Sequence, residues 1–405
     1  MDALHPTTLD ELRDAVAEAV ADHAPLEICG GGSKRALGRP MEVSRRLCLD
    51  RIAGIVTYEP AELVLTAQAG TPLAEIEDAL AANRQMLAFE PGDWRALLDA
   101  DGARPTLGGV LACNMAGPRR VKVGAARDHF LGFAGVNGYG EVFKAGGKVV
   151  KNVTGYDLSK LMAGSYGTLT VMAEVTIKVL PRPDESATLL ILGLDDASAI
   201  AALADGLNSP HEVSAAAHLP AAGAARSGVA PVASAGAAVT ALRVEGPASS
   251  IAFRMQALRD LFDARGTLVA LHEEDSERLW RDVGAVQPLL PADRIVWRVS
   301  VAPSAGPTVA ATIARTLDAD VLYDWGGGLL WLAVAPSAED GGAATVRAAL
   351  GGSGHATLIR APEALRASVP VFEPEPAALA ALTKRVKDSF DPQRILNPGR
   401  MYRSV

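Results

Sequence analysis

The chain has few of the residues on which several classes of chemistry depend. Its 405 residues include three cysteines, Cys29, Cys48 and Cys113. This odd count, with no C-x-x-C spacing, argues against a disulfide framework and against a thiolate zinc or iron–sulfur site, and it fits a reducing compartment. The seven histidines, His5, His23, His129, His211, His218, His272 and His355, include no H-x-H pair, so no metal site is expected. Met1–Pro6 places no basic segment ahead of an apolar run, so no secretory signal is visible. The longest charge-free stretch, residues 227–242, is mostly Ala, Gly, Ser, Pro and Val and is too short and weakly apolar to span a bilayer. With 39 Lys and Arg against 47 Asp and Glu, the net charge of −8 also disfavours a nucleic-acid partner. A cytoplasmic location is expected, with membrane association only peripheral, through a partner.

The apolar fraction of 49% and charged fraction of 21% fit a globular protein with two or three domains. Leu9, Leu12, Val16 and Val20 recur at helical spacing behind Thr7 or Thr8 and Glu11, which predicts a helix to about Ala21. Short strands are expected at 26–29, 55–58, 63–67 and 171–179, and a helix over 72–82. The stop Pro181-Arg182-Pro183 marks a boundary near 184. Beyond it lie Ala-rich helices, such as 196–208 and 248–264, and strands, such as 238–244 and 295–301. Residues 215–238, rich in Ala, Gly, Ser and Pro, read as a flexible insertion. A helix is expected over 377–390, and no internal repeat is apparent.

Glycine, at 39 residues, is the abundant feature, and it clusters. Gly30-Gly31-Gly32-Ser33-Lys34 follows a strand, where residues without Cβ let N–H groups converge on an anion. It matches neither G-x-x-x-x-G-K-[ST] nor G-x-G-x-x-G, which disfavours a P-loop or a Rossmann dinucleotide domain. A second cluster runs from Thr106 to Gly117 and a third from Gly155 to Gly167. Three such loops suggest several backbone segments closing on one extended ligand.

These motifs carry a resemblance. Leu107-Gly108-Gly109, Asn114 to Gly117, Arg127-Asp128, Gly164-x-x-Gly167-Thr168 and the tail Leu396-Asn397-Pro398-Gly399 resemble the FAD-binding oxidoreductases of the vanillyl-alcohol oxidase or p-cresol methylhydroxylase (PCMH) type. Within that group Lys151-Asn152-Val153-x-Gly155-Tyr156-Asp157-Leu158 and Lys178 to Pro183 are similar to the accessory FAD-binding subunits of bacterial glycolate oxidase. The resemblance implies an α+β fold: a two-subdomain PCMH-type FAD-binding domain over 1–184, an α/β cap with antiparallel sheet over 185–360, and a segment over 361–405 returning to the FAD domain. It assigns Gly30, Gly31, Gly32, Ser33 and Lys34 to the first pyrophosphate loop and Pro91 and Gly92 to the isoalloxazine and ribityl surroundings. Gly108, Gly109, Ala112, Asn114 and Gly117 go to the second pyrophosphate and ribityl segment. Arg127, Asp128, Gly164, Gly167 and Thr168 go to adenosine and diphosphate contacts, Val171 and Ile177 to the strand near the flavin, and Asn397 to the tail motif. The implied function is the FAD subunit of a complex that oxidises glycolate to glyoxylate. Its implied partners are a catalytic FAD-containing subunit and an iron–sulfur subunit that passes electrons to the respiratory chain. The alternatives are a structural or electron-relay flavin subunit, and a free-standing FAD-dependent alcohol or sugar oxidase.

The sequence departs from the hydroxy-acid oxidising members of that type. Their Gly-His-x-Gly-Asp-Gly-Asn-like stretch is replaced by Tyr323-Asp324-Trp325-Gly326-Gly327-Gly328. The first loop has no His or Cys for covalent attachment, so FAD is expected to bind noncovalently. Tyr166 stands in place of a Glu, and Thr170 in place of a Gly. Asp324 and Trp325 read as core or interface more readily than as pocket. His129 reads as a hydrogen-bonded structural residue rather than a proton acceptor. Lys151 and Lys160 read equally as surface charges or as flavin or substrate contacts, and Arg400 as a flavin-edge contact or a tail anchor. The catalytic residues stay unassigned.

Overall fold

The computed structural model describes residues 2–148, 155–290, 293–336 and 339–405. The first helix, Leu9–Ala21, buries Leu12, Val16 and Ala19 on one face. Thr8 caps it by accepting from the Glu11 N–H, while the Glu11 carboxylate accepts from the Thr7 N–H at 2.7 Å. Strands β1 (Asp2–Leu4), β2 (Leu26–Cys29) and β3 (Arg45–Cys48) form a parallel sheet in the order β1-β3-β2. A five-stranded antiparallel sheet follows. It uses β4 (Ile55–Glu59), β5 (Val64–Gln68), β7 (Phe130–Val136), β8 (Val142–Gly146) and β9 (Val171–Lys178) in the order β4-β5-β9-β7-β8. The two-residue strands β6 (Gln85–Met86) and β10 (Leu180–Pro181) pair beside it.

The remaining eight strands make one antiparallel sheet. They are β11 (Glu185–Leu192), β12 (Ala215–Leu219), β13 (Val239–Gly246), β14 (Thr267–His272), β15 (Ile295–Ser300), β16 (Ala319–Asp324), β17 (Leu329–Val334) and β18 (His355–Arg360). Their order is β14-β11-β13-β12-β16-β17-β15-β18. Each half runs strand, helix, strand, strand, helix, strand, the split β-α-β arrangement, so the sheet is a structural repeat joined edge to edge. The seam between β12 and β16 has one register pair, His218 and Tyr323. There His218 meets Thr240 at 2.9 Å and Asp196 at 3.3 Å, and the Tyr323 hydroxyl donates to Asp196 at 2.6 Å. The repeat is invisible in the sequence because the halves share topology without shared motifs.

Alternation along these strands feeds two cores. Ala187, Leu189 and Ile191 of β11 pack in one core with the helices Asp196–Asn208 and Ala248–Phe262, while Thr188 and Leu190 point to the opposite face, where Thr188 meets Ser276 and Trp280 of the helix Glu273–Gly284. Residues 215–238 are not a flexible insertion. They supply β12, buried at every position in the middle of the sheet, and the short helices Ala221–Ala224 and Ala230–Ala233. Alanine at 215–217 keeps the strand thin enough to pack on both faces, which in sequence is indistinguishable from low complexity. Among the described residues no helix is long and apolar enough to cross a membrane.

Candidate functional site

The loop after β2 and the loop before the helix Leu107–Ala112 pack on each other so closely that side chains are excluded. A Cβ on Gly30 would collide with the Thr106 hydroxyl, and one on Gly31 with the Arg104 carbonyl. A Cβ on Gly108 would lie 2.7 Å from that of Ala69. These glycines are therefore required for contact between loops, whereas Gly32, at φ +85°, is required by its left-handed backbone. The result is an open cleft, with Gly30 to Lys34 on one wall, Gly108, Gly109 and Ala112 on the next, and Tyr166 and Gly167 closing it. Among the described residues the N–H groups of Gly32, Ser33 and Lys34 donate to no protein acceptor. Successive unpaired donors in a partly buried loop are a cradle for an anion, so the cleft fits the diphosphate of a dinucleotide.

The C-terminal tail holds this cleft together. Leu26 donates to Ile395 O at 2.8 Å and accepts from the Asn397 N–H at 3.1 Å, so the tail joins β2 by a single parallel bridge at Leu396. The Asn397 side chain accepts from the Ile28 N–H and donates to Tyr166 O, both at 2.7 Å, and so ties β2, which leads into the first loop, to the third loop. Lys387, fully buried, anchors the turn by donating to Thr168 O, Asp391 and Leu396 O at 2.6, 2.7 and 2.9 Å. Burial lowers its pKa and Asp391 opposes that shift. Tyr166 and Asn397, which line the cleft, and Asn114, next to Cys113 on it, have positive φ. Such strain in non-glycine residues persists where surrounding contacts over-determine it, as at functional sites.

The large sheet packs against the second loop through Trp325. Trp325, after β16, donates from Nε1 to Gly117 O at 3.0 Å, and its N–H is held by Asp324 at 2.7 Å. Burial pushes the Asp324 carboxyl up to about 7. Burial also raises the Tyr166 hydroxyl, whose ring packs edge-on to Phe372 at 5.0 Å. Arg243 and Arg119 bind Glu90 and Glu245, with Arg243 to Glu90 at 2.9 Å and Arg119 to Glu245 at 2.6 Å, stitching the sheet to the N-terminal half. Burial alone would raise Glu245, but Arg243 and Arg119 hold it down to about 2.

Of the residues assigned from sequence, Gly30 to Lys34, Gly108, Gly109, Ala112, Gly167 and Asn397 come together on the cleft. The others are placed differently. Pro91 and Gly92 line a second cleft of about 630 Å³ beside Arg119 and Arg243, where a Cβ on Gly92 would collide with Gly284 O. Asn114 accepts from the Arg127 N–H and Asp128 from the Ala125 N–H, so this group shapes the second loop, and a Cβ on Gly117 would strike Glu90. Gly164 hydrogen-bonds Leu111, and Thr168 donates to Ser165 O. Val171 and Ile177 lie in the core of β9. His129 is buried with Nε2 on Val123 O at 3.1 Å, and Arg400 contacts Leu37 O and Lys34 O, a tail anchor that also lines the cleft. Asn152, Val153 and Lys151 lie outside the described residues. Sequence reasoning missed the proximity of Cys29 and Cys48, whose sulfurs lie 2.9 Å apart on paired strands, with Cys29 lining the cleft. Their 19-residue separation carries no recognisable spacing. Among the described residues no group of three or more His, Cys, Asp or Glu is placed to hold a metal ion.

The comparisons with known proteins match this geometry. The family model described as an FAD binding domain matches residues 3–146. The chain is 36% identical over 393 residues to glycolate oxidase subunit GlcE of Escherichia coli (strain K12), covering 96% of each. It is 28% identical over 188 residues to glycolate oxidase subunit GlcD of Bacillus subtilis (strain 168), covering 46% of this chain and 38% of that protein. In structure it is similar to p-cresol methylhydroxylase with substrate bound, with a TM-score of 0.71 at 15% identity, covering 98% of this chain and 88% of that one.

Proposed function

Because the chain belongs to the PCMH-type FAD-binding proteins closely related to bacterial GlcE-type glycolate oxidase subunits, we propose that it is the electron-relaying FAD subunit of a glycolate-oxidising assembly. In this reading a separate FAD-containing subunit oxidises glycolate to glyoxylate, and an iron–sulfur subunit carries electrons onward. The observation that carries the proposal is the character of the cleft: a cradle of unpaired N–H groups for the cofactor with, among the described residues, no side chain poised as a base. Gly32, Ser33 and Lys34 would hold the diphosphate through their N–H groups, noncovalently, and Asn397 keeps the walls in register. Asp324 is spent on the Trp325 N–H, His129 faces Val123, and the Tyr166 hydroxyl is held protonated by burial. FAD, when bound, supplies reversible two-electron and one-electron chemistry; the chain supplies its position and electrostatics.

The test is anaerobic mixing of the FAD-loaded chain with glycolate, followed by flavin absorbance. The relay assignment predicts that the flavin stays oxidised until the catalytic partner subunit is added. Full bleaching by glycolate in the isolated chain would overturn it in favour of a self-sufficient oxidase.

A further inference from the structure

The parallel sheet β1-β3-β2 has two unlike faces. Leu26 and Ile28 of β2 and Leu47 of β3 lie in the apolar core. The alternate positions on β2, Glu27 and Cys29, pair in register with Arg46 and Cys48 of β3 and point the other way. There the Glu27 carboxylate accepts from Arg35 at 2.6 Å and from Arg46 at 3.0 Å, so both its oxygens are engaged. The pair that follows consists of two thiols whose Sγ atoms lie 2.9 Å apart. Neither sulfur is needed to fill the core, and two thiols brought together in register are the starting geometry of a disulfide.

These cysteines also stand at the two ends of the first loop. Cys29 precedes Gly30 and lines the cleft. From it the chain passes through the Gly32, Ser33 and Lys34 donors and returns along β3 to Cys48. The Leu49 N–H donates to Cys29 O at 2.9 Å, which holds the two ends side by side. A bond between the sulfurs would therefore close the segment that carries the anion cradle into a ring. Within the pair the roles divide. The hydrogen bond from Cys29 lowers the Cys48 thiol, helped by His5 and Arg46 against burial and Asp50. The same bond, with burial, raises Cys29. Cys48 is thus the sulfur that ionises and Cys29 the one that keeps its proton. The third cysteine, Cys113, also lines the cleft, but burial raises its thiol.

We propose that Cys29 and Cys48 are a reversible dithiol–disulfide couple, oxidised by a small hydroperoxide, whose disulfide staples the ends of the FAD-holding loop and slows release of the cofactor. The Cys48 thiolate attacks one peroxide oxygen. The S–O bond forms as the O–O bond breaks, and the departing hydroxide takes up the proton that Cys48 gave away and leaves as water. The Cys29 sulfur then attacks the Cys48 sulfenic acid. The S–S bond forms as the S–O bond breaks, and the released hydroxide leaves as a second water with the Cys29 proton. Two thiols lose two electrons and one hydrogen peroxide is reduced to two waters; a dithiol reductant reverses the change by exchange. Cys48 and Cys29 keep only 8% and 9% of their surface, which favours an oxidant as small as hydrogen peroxide. The couple requires FAD in the cleft and nothing of the relay assignment.

The test treats the reduced, FAD-loaded chain with hydrogen peroxide, counts thiols in denaturant, maps the linked peptides by mass and follows FAD release by fluorescence after dilution. Reduced protein should show all three thiols. Treated protein should keep only that of Cys113, with the Cys29 and Cys48 peptides joined, and dithiothreitol should restore the rest. The oxidised form is expected to release FAD about tenfold or more slowly than the reduced form, because a closed loop has fewer open conformations. In Cys48→Ser and in Cys29→Ser, peroxide should leave the release rate unchanged. The measurements on the parent decide the matter without either variant should one fail to fold. Survival of all three thiols in excess peroxide, over-oxidation of Cys48 without a link to Cys29, or a link through Cys113 would overturn the couple. Release from the oxidised form as fast as from the reduced form, or faster, would overturn the staple.

Discussion

The two halves of the molecule meet through Arg119, Arg243 and Trp325 but are built by different means. In the N-terminal half the walls are backbone: Gly30, Gly31, Gly108 and Gly117 lack side chains because neighbouring loops occupy the space a Cβ needs. In the eight-stranded sheet the work is done by side chains, from the buried arginine–glutamate network at Arg243 to the His218–Asp196–Tyr323 seam. The difference teaches where change is tolerated. A backbone cradle constrains local sequence tightly, whereas a sheet packed through side chains can change its residues while keeping its topology. Changes in the loops should therefore act on cofactor affinity, and changes in the sheet on stability.

The largest expected effect breaks the side-chain half. Arg243→Ala removes one of the two buried arginines that pair with Glu90 and Glu245 and leaves two carboxylates to Arg119 alone, which should cost about 3–5 kcal/mol of stability in urea unfolding. A loss below about 1 kcal/mol would show that the network is not what joins the halves. Next, Gly31→Ala forces the first loop off Arg104, and overpacking of this kind costs about 1–3 kcal/mol. The contrast requires its FAD affinity to fall at least tenfold in a flavin titration, while Arg243→Ala, at a temperature where it stays folded, keeps its affinity within about threefold.

A smaller effect is pH-dependent. The Asp324 carboxyl is raised to about 7 in the fold from an ordinary value of 3.8. Folding therefore takes up a proton between those values, so the stability tied to this group is complete below about pH 4 and lost as pH rises through 7. Asp324→Asn retains an acceptor for the Trp325 N–H and removes the buried charge. Its melting temperature should exceed that of the parent more at pH 8 than at pH 5, by at most about 4 kcal/mol in free energy. An equal difference at both pH values would mean that Asp324 is ionised without penalty.

What could be read from sequence follows the same division. The glycine loops, the helix Leu9–Ala21 and the helix Asp196–Asn208 are local, so turn chemistry, capping and periodicity expose them. The physical role of the glycines was only half legible, because Gly30 and Gly31 answer to Thr106 and Arg104, more than 70 residues away. Strand β12 was lost because Ala215-Ala216-Ala217 looks the same in a packed sheet and in a loop. The clamp from Asn397 to Tyr166 spans 231 residues, and the meeting of Arg120 and Arg298 on Trp325 depends on three separate segments. No spacing rule reaches such contacts; only the closed fold brings them together.

The central claim is that backbone N–H groups, rather than charged side chains, seat the cofactor. Equilibrium FAD binding by the Ser33→Ala/Lys34→Ala double variant tests it most directly. The predicted result is one acid-releasable FAD per chain, with affinity within about tenfold of the parent, equivalent to about 1.4 kcal/mol. A fall of more than about a hundredfold, or parent protein that stays colourless and cannot be reconstituted with FAD, would contradict the account.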